Sequence, residues 1–346
     1  MLSPLIPDTR HPKWIIAQNV LECVDSKRAI KIARRLKIKD IHNFIIAMKI
    51  LILSSLFERD ISNVISEINT FDELKHFMGI KSEVKSQDIY RIQSNIDFKV
   101  YYAFLNRILR KNKRKRNNKR QAVIIDTTSI VMDINTWRKR HKIGKIGKEY
   151  KYSYCPSAGY YVGFKLILAI DQNYSLIDFK IHENGPNDAK ILMSFVEDLY
   201  KSKRIKSGDI IICDRGFTSK KNYNALINRF LLIPAIYPRK NTNLKKIISN
   251  LTPPLDIFKN KYKLQKWYSI TEEFKEIINH WGHFKFIRYR IEIFFNIAKN
   301  SMNLKKNHQY TISSIEKKAA RGLLLAEYLI STFDPIFIDL RAVPSW

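Results

Sequence analysis

Up to about position 109 the apolar residues recur every three or four places, most clearly over 44–56 and 61–68, which predicts successive helices and no strand. A helix over 71–78 is expected to stop at Gly79, a residue suited to a left-handed cap, and Ser86 to cap the next helix, which runs to 96. From Gln121 the period shortens to two. Strands are predicted at 123–132, at 161–170 with Val162, Phe164, Leu166, Leu168 and Ile170 on one face, and at 177–181 after a turn at 171–174. Asn187 or Asp188 then caps a helix carrying Ile191, Leu192, Phe195, Val196 and Leu199 on one side. A strand at 210–213, a helix capped by Thr218 or Ser219 and running to about 229, and a strand at 231–236 follow. Pro234 cannot donate to a ladder, so that last strand belongs at a sheet edge.

With a later helix over about 284–299, the order is βββαβαβ…α. This is the order of a ribonuclease H-like α/β fold, a mixed sheet with its first and fourth strands side by side, here preceded by an all-α N-terminal domain. The expected domains are a helical region 1–110, a basic linker 111–120, a ribonuclease H-like domain 121–335 and a C-terminal tail 336–346. Residues 239–283 interrupt the α/β pattern and are assigned only a helix at 271–279, while 312–329 reads as a further amphipathic helix.

Composition narrows the function classes. With 45% hydrophobic residues, 10 Gly and 11 Pro, the chain is an ordered globular protein rather than a disordered or fibrous one. Cys23, Cys155 and Cys213 are odd in number and form no CxxC pair, which argues against a disulfide framework or a zinc site and fits a reducing cytoplasm. The first residues do not read as a secretory leader. The apolar run 41–57 is broken by His42, Asn43 and Lys49, so it is expected to be a buried helix and not a membrane anchor.

The 62 basic against 32 acidic residues leave +30, a field that attracts polyanions, above all nucleic acid. The excess concentrates at 111–120, which includes Lys113, Arg114, Lys115 and Arg116, and at 136–151. Such runs bind phosphate without regard to sequence, although a solvated linker has the same composition. The helices at 71–78 and 86–96 fit a helix-turn-helix reader with Gln87, Tyr90, Arg91 and Gln93 towards DNA, a pattern that ordinary helical packing also produces.

Three carboxylates stand out against this background. Asp126 follows Val123, Ile124 and Ile125 in an apolar strand, where a charge needs a partner or a metal. Asp214 ends the strand 210–213 and precedes Arg215, Gly216 and Phe217, at the edge where α/β folds carry their sites; the same residues also make a plain Asp-x-Gly turn. Adjacent first and fourth strands would bring both acids to one cation. On the late helix, Arg288, Glu292 and Lys299 fall within about 40° of one another, opposite Ile287, Ile291, Phe294 and Ala298, so one acid stands framed by cations. An ordinary surface ion pair between Arg288 and Glu292 has the same spacing. Oxygen ligands without a cysteine or histidine cluster favour Mg²⁺ or Mn²⁺, and two such ions would serve phosphodiester chemistry. No G-x-S-x-G elbow, P-loop or G-x-G-x-x-G is present.

These residues resemble the DDE transposases of bacterial and archaeal insertion sequences, and the likeness spans most of the chain. Asp126-Thr-Thr128 resembles the first acid motif, Asn187-Asp188 the pair ahead of the mid-domain helix, and Asp214-Arg-Gly-Phe217 the second acid motif. The family's Tyr-x2-Arg-x3-Glu-x6-Lys signature aligns with Arg288, Glu292 and Lys299 and leaves Lys285 where tyrosine is usual. The resemblance implies that Asp126, Asp214 and Glu292 hold the metal ions and that Arg288 and Lys299 hold the DNA backbone, with Lys285 and Arg215 as further DNA contacts. It also implies double-stranded DNA partners (element ends and target), strand transfer by a freed 3′ hydroxyl, a homodimer on DNA and a cytoplasmic, nucleoid-associated protein. Alternatives on the same residues are a silent, DNA-binding transposase relic and a structure-selective nuclease. The interval from Asp214 to Glu292 is too short for the long β-strand insertion of some members.

Overall fold

The computed structural model describes residues 4–8, 10–110, 120–132, 152–155, 159–305 and 311–332. Residues 111–119, with Lys113, Arg114, Lys115 and Arg116, the second basic cluster and the 336–346 tail lie outside these residues; Arg120, which ends the first cluster, is described and donates to Glu273 Oε1 at 2.7 Å. The described chain divides into two compact units. One takes in the residues up to 110, Val131, Met132 and everything from Phe294 on; the other takes in 120–130 and 152–293.

The first unit is helical, as its periodicity predicts: α1 (Pro12–Asp25), α2 (Lys27–Arg35), α3 (Ile41–Leu56), α4 (Ile61–Thr70), α5 (Asp72–Phe77), α6 (Ser86–Asn95) and α7 (Phe98–Leu109). Local chemistry sets the starts. Pro12 opens α1, and the side chains of Ser26, Asp40 and Asp97 each accept a backbone N–H at the start of α2, α3 and α7. The α3 helix is buried on nearly every side. Among the described residues no single helix is long and apolar enough to cross a membrane; the bent pair α3 and α4 together meet that test by length and composition.

Two details of the α5–α6 region differ from expectation. Gly79 does take a left-handed conformation, φ +60°, but Ser86 is the first residue of α6, and the preceding Lys85 supplies no side-chain cap. Gln93 does not face outward: it is buried, and its carbonyl accepts a bond from Lys317 Nζ at 2.7 Å, while Gln87, Tyr90 and Arg91 remain exposed. Tertiary packing against α3 and α4 has claimed part of α6, and Lys317 of the C-terminal helix takes the Gln93 carbonyl.

The second unit carries a six-stranded sheet of β1 (Ala122–Val131), β2 (Tyr152–Cys155), β3 (Gly159–Asp171), β4 (Leu176–Glu183), β5 (Ile210–Cys213) and β6 (Ile233–Ile236). β1 lies between β3 and β5, β6 is outermost beyond β5, and β3 pairs antiparallel with both β2 and β4. This mixed sheet behind a helical N-terminal region is the ribonuclease H-like arrangement. Two features were not expected: β2, and the burial of both faces of β3, where Ile167 and Ala169 are as enclosed as Leu166 and Leu168. Helices α8 (Asp188–Lys201) and α9 (Lys220–Asn228) connect the strands, with Asn187 capping α8 through a bond from Ala189 N at 2.9 Å.

The interval from 239 to 283 holds α10 (Leu244–Ser249), α11 (Leu255–Phe258) and α12 (Lys261–Asn279), followed by α13 (Trp281–Asn300). The expected helix at 271–279 is therefore the second half of a longer one. The last helix, α14 (Ile312–Thr332), belongs with the first unit and is buried around most of its circumference, beyond the one-sided pattern its sequence suggests.

The β1–β5 register positions the chemistry. These strands run parallel, with Ala122 opposite Ile210 and Ile125 opposite Cys213. The buried carboxylate of Asp209 fixes that alignment by accepting N–H bonds from Gln121 at 3.1 Å and Lys206 at 2.8 Å. A slip of one residue would turn every side chain to the other face.

Candidate active site

The last paired residues are Ile125 and Cys213, so the next positions, Asp126 midway along β1 and Asp214 just past the end of β5, stand beside each other. Neighbouring strands stand about 4.8 Å apart, which brings together two residues remote in sequence. Val123, Ile124 and Ile125 anchor β1 in the core, and Asp126 is where burial begins to relax. Its side chain is 16% exposed; its Oδ1 accepts the Thr127 N–H at 2.7 Å, and its Oδ2 lies 3.6 Å from Arg288 Nη1. Asp214 does form the Asp-x-Gly turn, accepting the Gly216 N–H at 2.7 Å, and it does so while facing Asp126.

Electrostatics reports the crowding. Burial, then the neighbouring Asp214 charge, pushes the Asp126 carboxyl up to about 7, against the opposing pull of the Thr127 N–H and Arg288. Burial likewise raises Asp214, aided by Asp188, while the Gly216 N–H, Arg288 and Arg215 work against the rise. Glu292 reaches this group through Arg288. The Arg288 guanidinium donates to Glu292 Oε1 and faces Asp126 with its other nitrogen, so the two carboxylates are one guanidinium apart. The Arg288–Glu292 pair, the plain alternative to a functional acid, does form, and through Arg288 it joins the cluster around Asp126.

Lys285 is exposed on α13, and Lys299, near the end of that helix, belongs with the first unit. Ile291, Phe294 and Ala298 are fully buried on the packing side, as their periodicity predicts. Arg215 is exposed; its carbonyl and that of Gly216 accept bonds from Arg239 at 3.1 and 3.2 Å. Beside this turn opens a cavity of about 420 Å³, lined in part by Lys220, Arg239 and Lys246 and by no acid.

The sequence did not mark Asp188 or Lys165 as part of the site. Asp188 accepts the Thr127 hydroxyl at 2.8 Å and Lys165 Nζ at 2.9 Å. A Cβ on Gly216 would stand 3.0 Å from Asp188 Oδ2 and 2.9 Å from Asp214 Oδ1, which is why that turn needs glycine. The Asn187-Asp188 pair signals a helix start, and only the fold reveals that Asp188 also faces the acids.

Among the described residues, no three carboxylate, imidazole or thiolate groups stand at ready-made metal-holding geometry. The donor chemistry nonetheless fits a hard divalent cation. Asp126 and Asp214 offer oxygens only, their mutual repulsion is what a bound cation relieves, and a guanidinium already occupies the space between Asp126 and Glu292.

A family model described as the transposase DDE domain matches residues 117–326. No curated protein matches the chain.

Proposed function

The chain belongs to the transposases with a DDE domain, and from that premise we propose that it cleaves phosphodiester bonds at the ends of a mobile DNA element and joins the freed 3′ hydroxyl to target DNA. The observation that carries this reading is the parallel register of β1 and β5, which pairs Asp126 with Asp214, together with Glu292 one guanidinium away.

In this reading Asp126, Asp214 and Glu292 hold Mg²⁺ or Mn²⁺, two ions in all. Bound there, such ions would supply activation of a water or sugar hydroxyl and charge stabilisation at the leaving oxygen. The chain's own residues do the rest. Arg288 leaves its carboxylate partners to meet the phosphate, and Lys299, Lys285 and Arg215 add charge along the DNA backbone. The cations of the Arg239 cavity, beside the Asp214 turn, support a path for the negatively charged strand. Lys113, Arg114, Lys115 and Arg116 add affinity that is independent of sequence and sensitive to salt. Two element ends brought together require two active sites, hence a homodimer on DNA, working in the cytoplasm on the nucleoid.

The test is cleavage, in Mg²⁺, of plasmid carrying the DNA that flanks the gene. Asp126→Asn, Asp214→Asn and Glu292→Gln should each reduce cleavage by at least about a thousandfold, the scale of lost transition-state charge stabilisation, with DNA affinity within about twofold of the parent. Undiminished cleavage by any one variant removes that residue from the site. Cleaved ends that never join target DNA would point to a nuclease, and tight binding without cleavage to a silent copy.

A further inference from the structure

Asp188 is more than the first residue of a helix. Its Oδ1 accepts the Thr127 hydroxyl at 2.8 Å, and Thr127 N–H in turn holds Asp126 Oδ1 at 2.7 Å. On the other side, Lys165 Nζ donates to Asp188 Oδ1 at 2.9 Å and to the Pro186 carbonyl at 2.7 Å, so an ammonium from β3 balances the charge and fixes the approach to α8. Asp188 Oδ2 packs against Gly216, whose N–H holds Asp214. The buried Asn222 amide locks the same two segments together, donating to the Ala189 carbonyl at 3.0 Å and the Phe217 carbonyl at 2.9 Å. A helix start gains from an acid in its first turn without any of these contacts. What they add is a brace between two acids that repel each other.

We propose that Asp188, neutralised by Lys165, is a positioning residue that sets the spacing of Asp126 and Asp214 through Thr127 and Gly216, and so tunes the affinity of the acid pair for a divalent cation. This rests on the transposase reading of the acids. Partners that orient metal-holding carboxylates contribute roughly 10- to 100-fold to metal affinity.

The experiment measures Mn²⁺ binding to the full chain without DNA, by electron paramagnetic resonance of the free ion, alongside the thermal midpoint. Thr127→Val and Asp188→Ala should each weaken Mn²⁺ by about 10-fold or more, and Thr127→Ser, which keeps the hydroxyl, should restore it. The Val and Ser variants together separate a lost hydrogen bond from a general loss of folding. Asp126→Asn is the control for the underlying reading. If the parent does not bind Mn²⁺, or Asp126→Asn binds as the parent does, the metal reading and the brace fall together. If Asp126→Asn loses Mn²⁺ while Thr127→Val and Asp188→Ala bind like the parent, the brace alone is overturned. Loss in Asp188→Ala as complete as in Asp126→Asn, or failure of Thr127→Ser to rescue, also overturns it, the former making Asp188 a ligand.

Discussion

The two units bury charge in opposite ways. In the helical unit the enclosed groups are cations, used as struts. Lys49 spans the Met78 carbonyl and Asp25, Lys317 donates to the Gln93 carbonyl, and Arg321 donates to the Ser55 hydroxyl at 2.6 Å and the Tyr101 hydroxyl at 3.0 Å. In the sheet unit the fully buried charge is a carboxylate, Asp209, satisfied by backbone N–H groups, and the half-buried carboxylates of Asp126 and Asp214 face one another across β1 and β5. The first arrangement satisfies donors that could not otherwise be buried. The second leaves repulsion in place between the middle of β1 and the end of β5, which suits a ligand that brings positive charge.

The largest effect should come from breaking a strut. Arg321→Ala removes a fully enclosed guanidinium, leaves two buried hydroxyls short of a partner and opens a cavity, so about 4 kcal/mol should be lost. Chemical denaturation would show it as a lower midpoint, and the rise in stability that the buried Lys318 gives above neutrality should shrink, because Arg321 is one of the two causes that hold that ammonium down.

Removing a charge from the sheet unit should do the reverse. The folded Asp126 carboxyl titrates near 7, above the ordinary carboxylate range of the unfolded chain. Its contribution is therefore fully present below that range and is lost as pH rises through about 7. In divalent-free buffer Asp126→Asn should be more stable than the parent at pH 8 by a few kcal/mol, and the gap should close towards pH 4. Lys318 in the helical unit, whose ammonium burial and Arg321 lower to about 7, bends the curve the other way above neutrality in both proteins, so the difference between them isolates Asp126. A gap independent of pH would mean that neither burial nor the Asp214 charge raises the Asp126 carboxyl.

The smallest effect lies between these extremes. Asn187→Ala removes the cap of α8 and should cost about 1 kcal/mol. If Mn²⁺ affinity falls as well, the helix start matters to the acids and not only to the helix.

Sequence reading went furthest where local pattern and tertiary role coincide. The apolar triplets before Asp126 and Asp214 read as buried strands, and Asp214 had to emerge where its strand ends, whereas Asp126 stands midway along β1. The packing side of α13 was legible for the same reason. The first half of α12 was missed because 261–266 is mostly polar and carries no apolar stripe to set a helical period. β2 is four residues long and follows a strongly basic stretch, so alternation had no length in which to show. Gln93 was misplaced because a residue more than 200 positions away claims its carbonyl. Asp188 carries two roles at once, and the capping signal concealed the contact with Thr127.

Pro234 has a consequence for growth of the sheet. β6 has β5 as its sole neighbour among the described strands, and Ile233 N–H is spent inward on the Asp209 carbonyl, so alternation turns position 234 outward. There the proline ring offers no hydrogen to an approaching strand. A polymerising template needs an unbroken row of donors and acceptors, and this margin lacks one in its middle. All four residues of β6 are buried as well, so the sheet stops here without leaving a donor of Pro234 to satisfy.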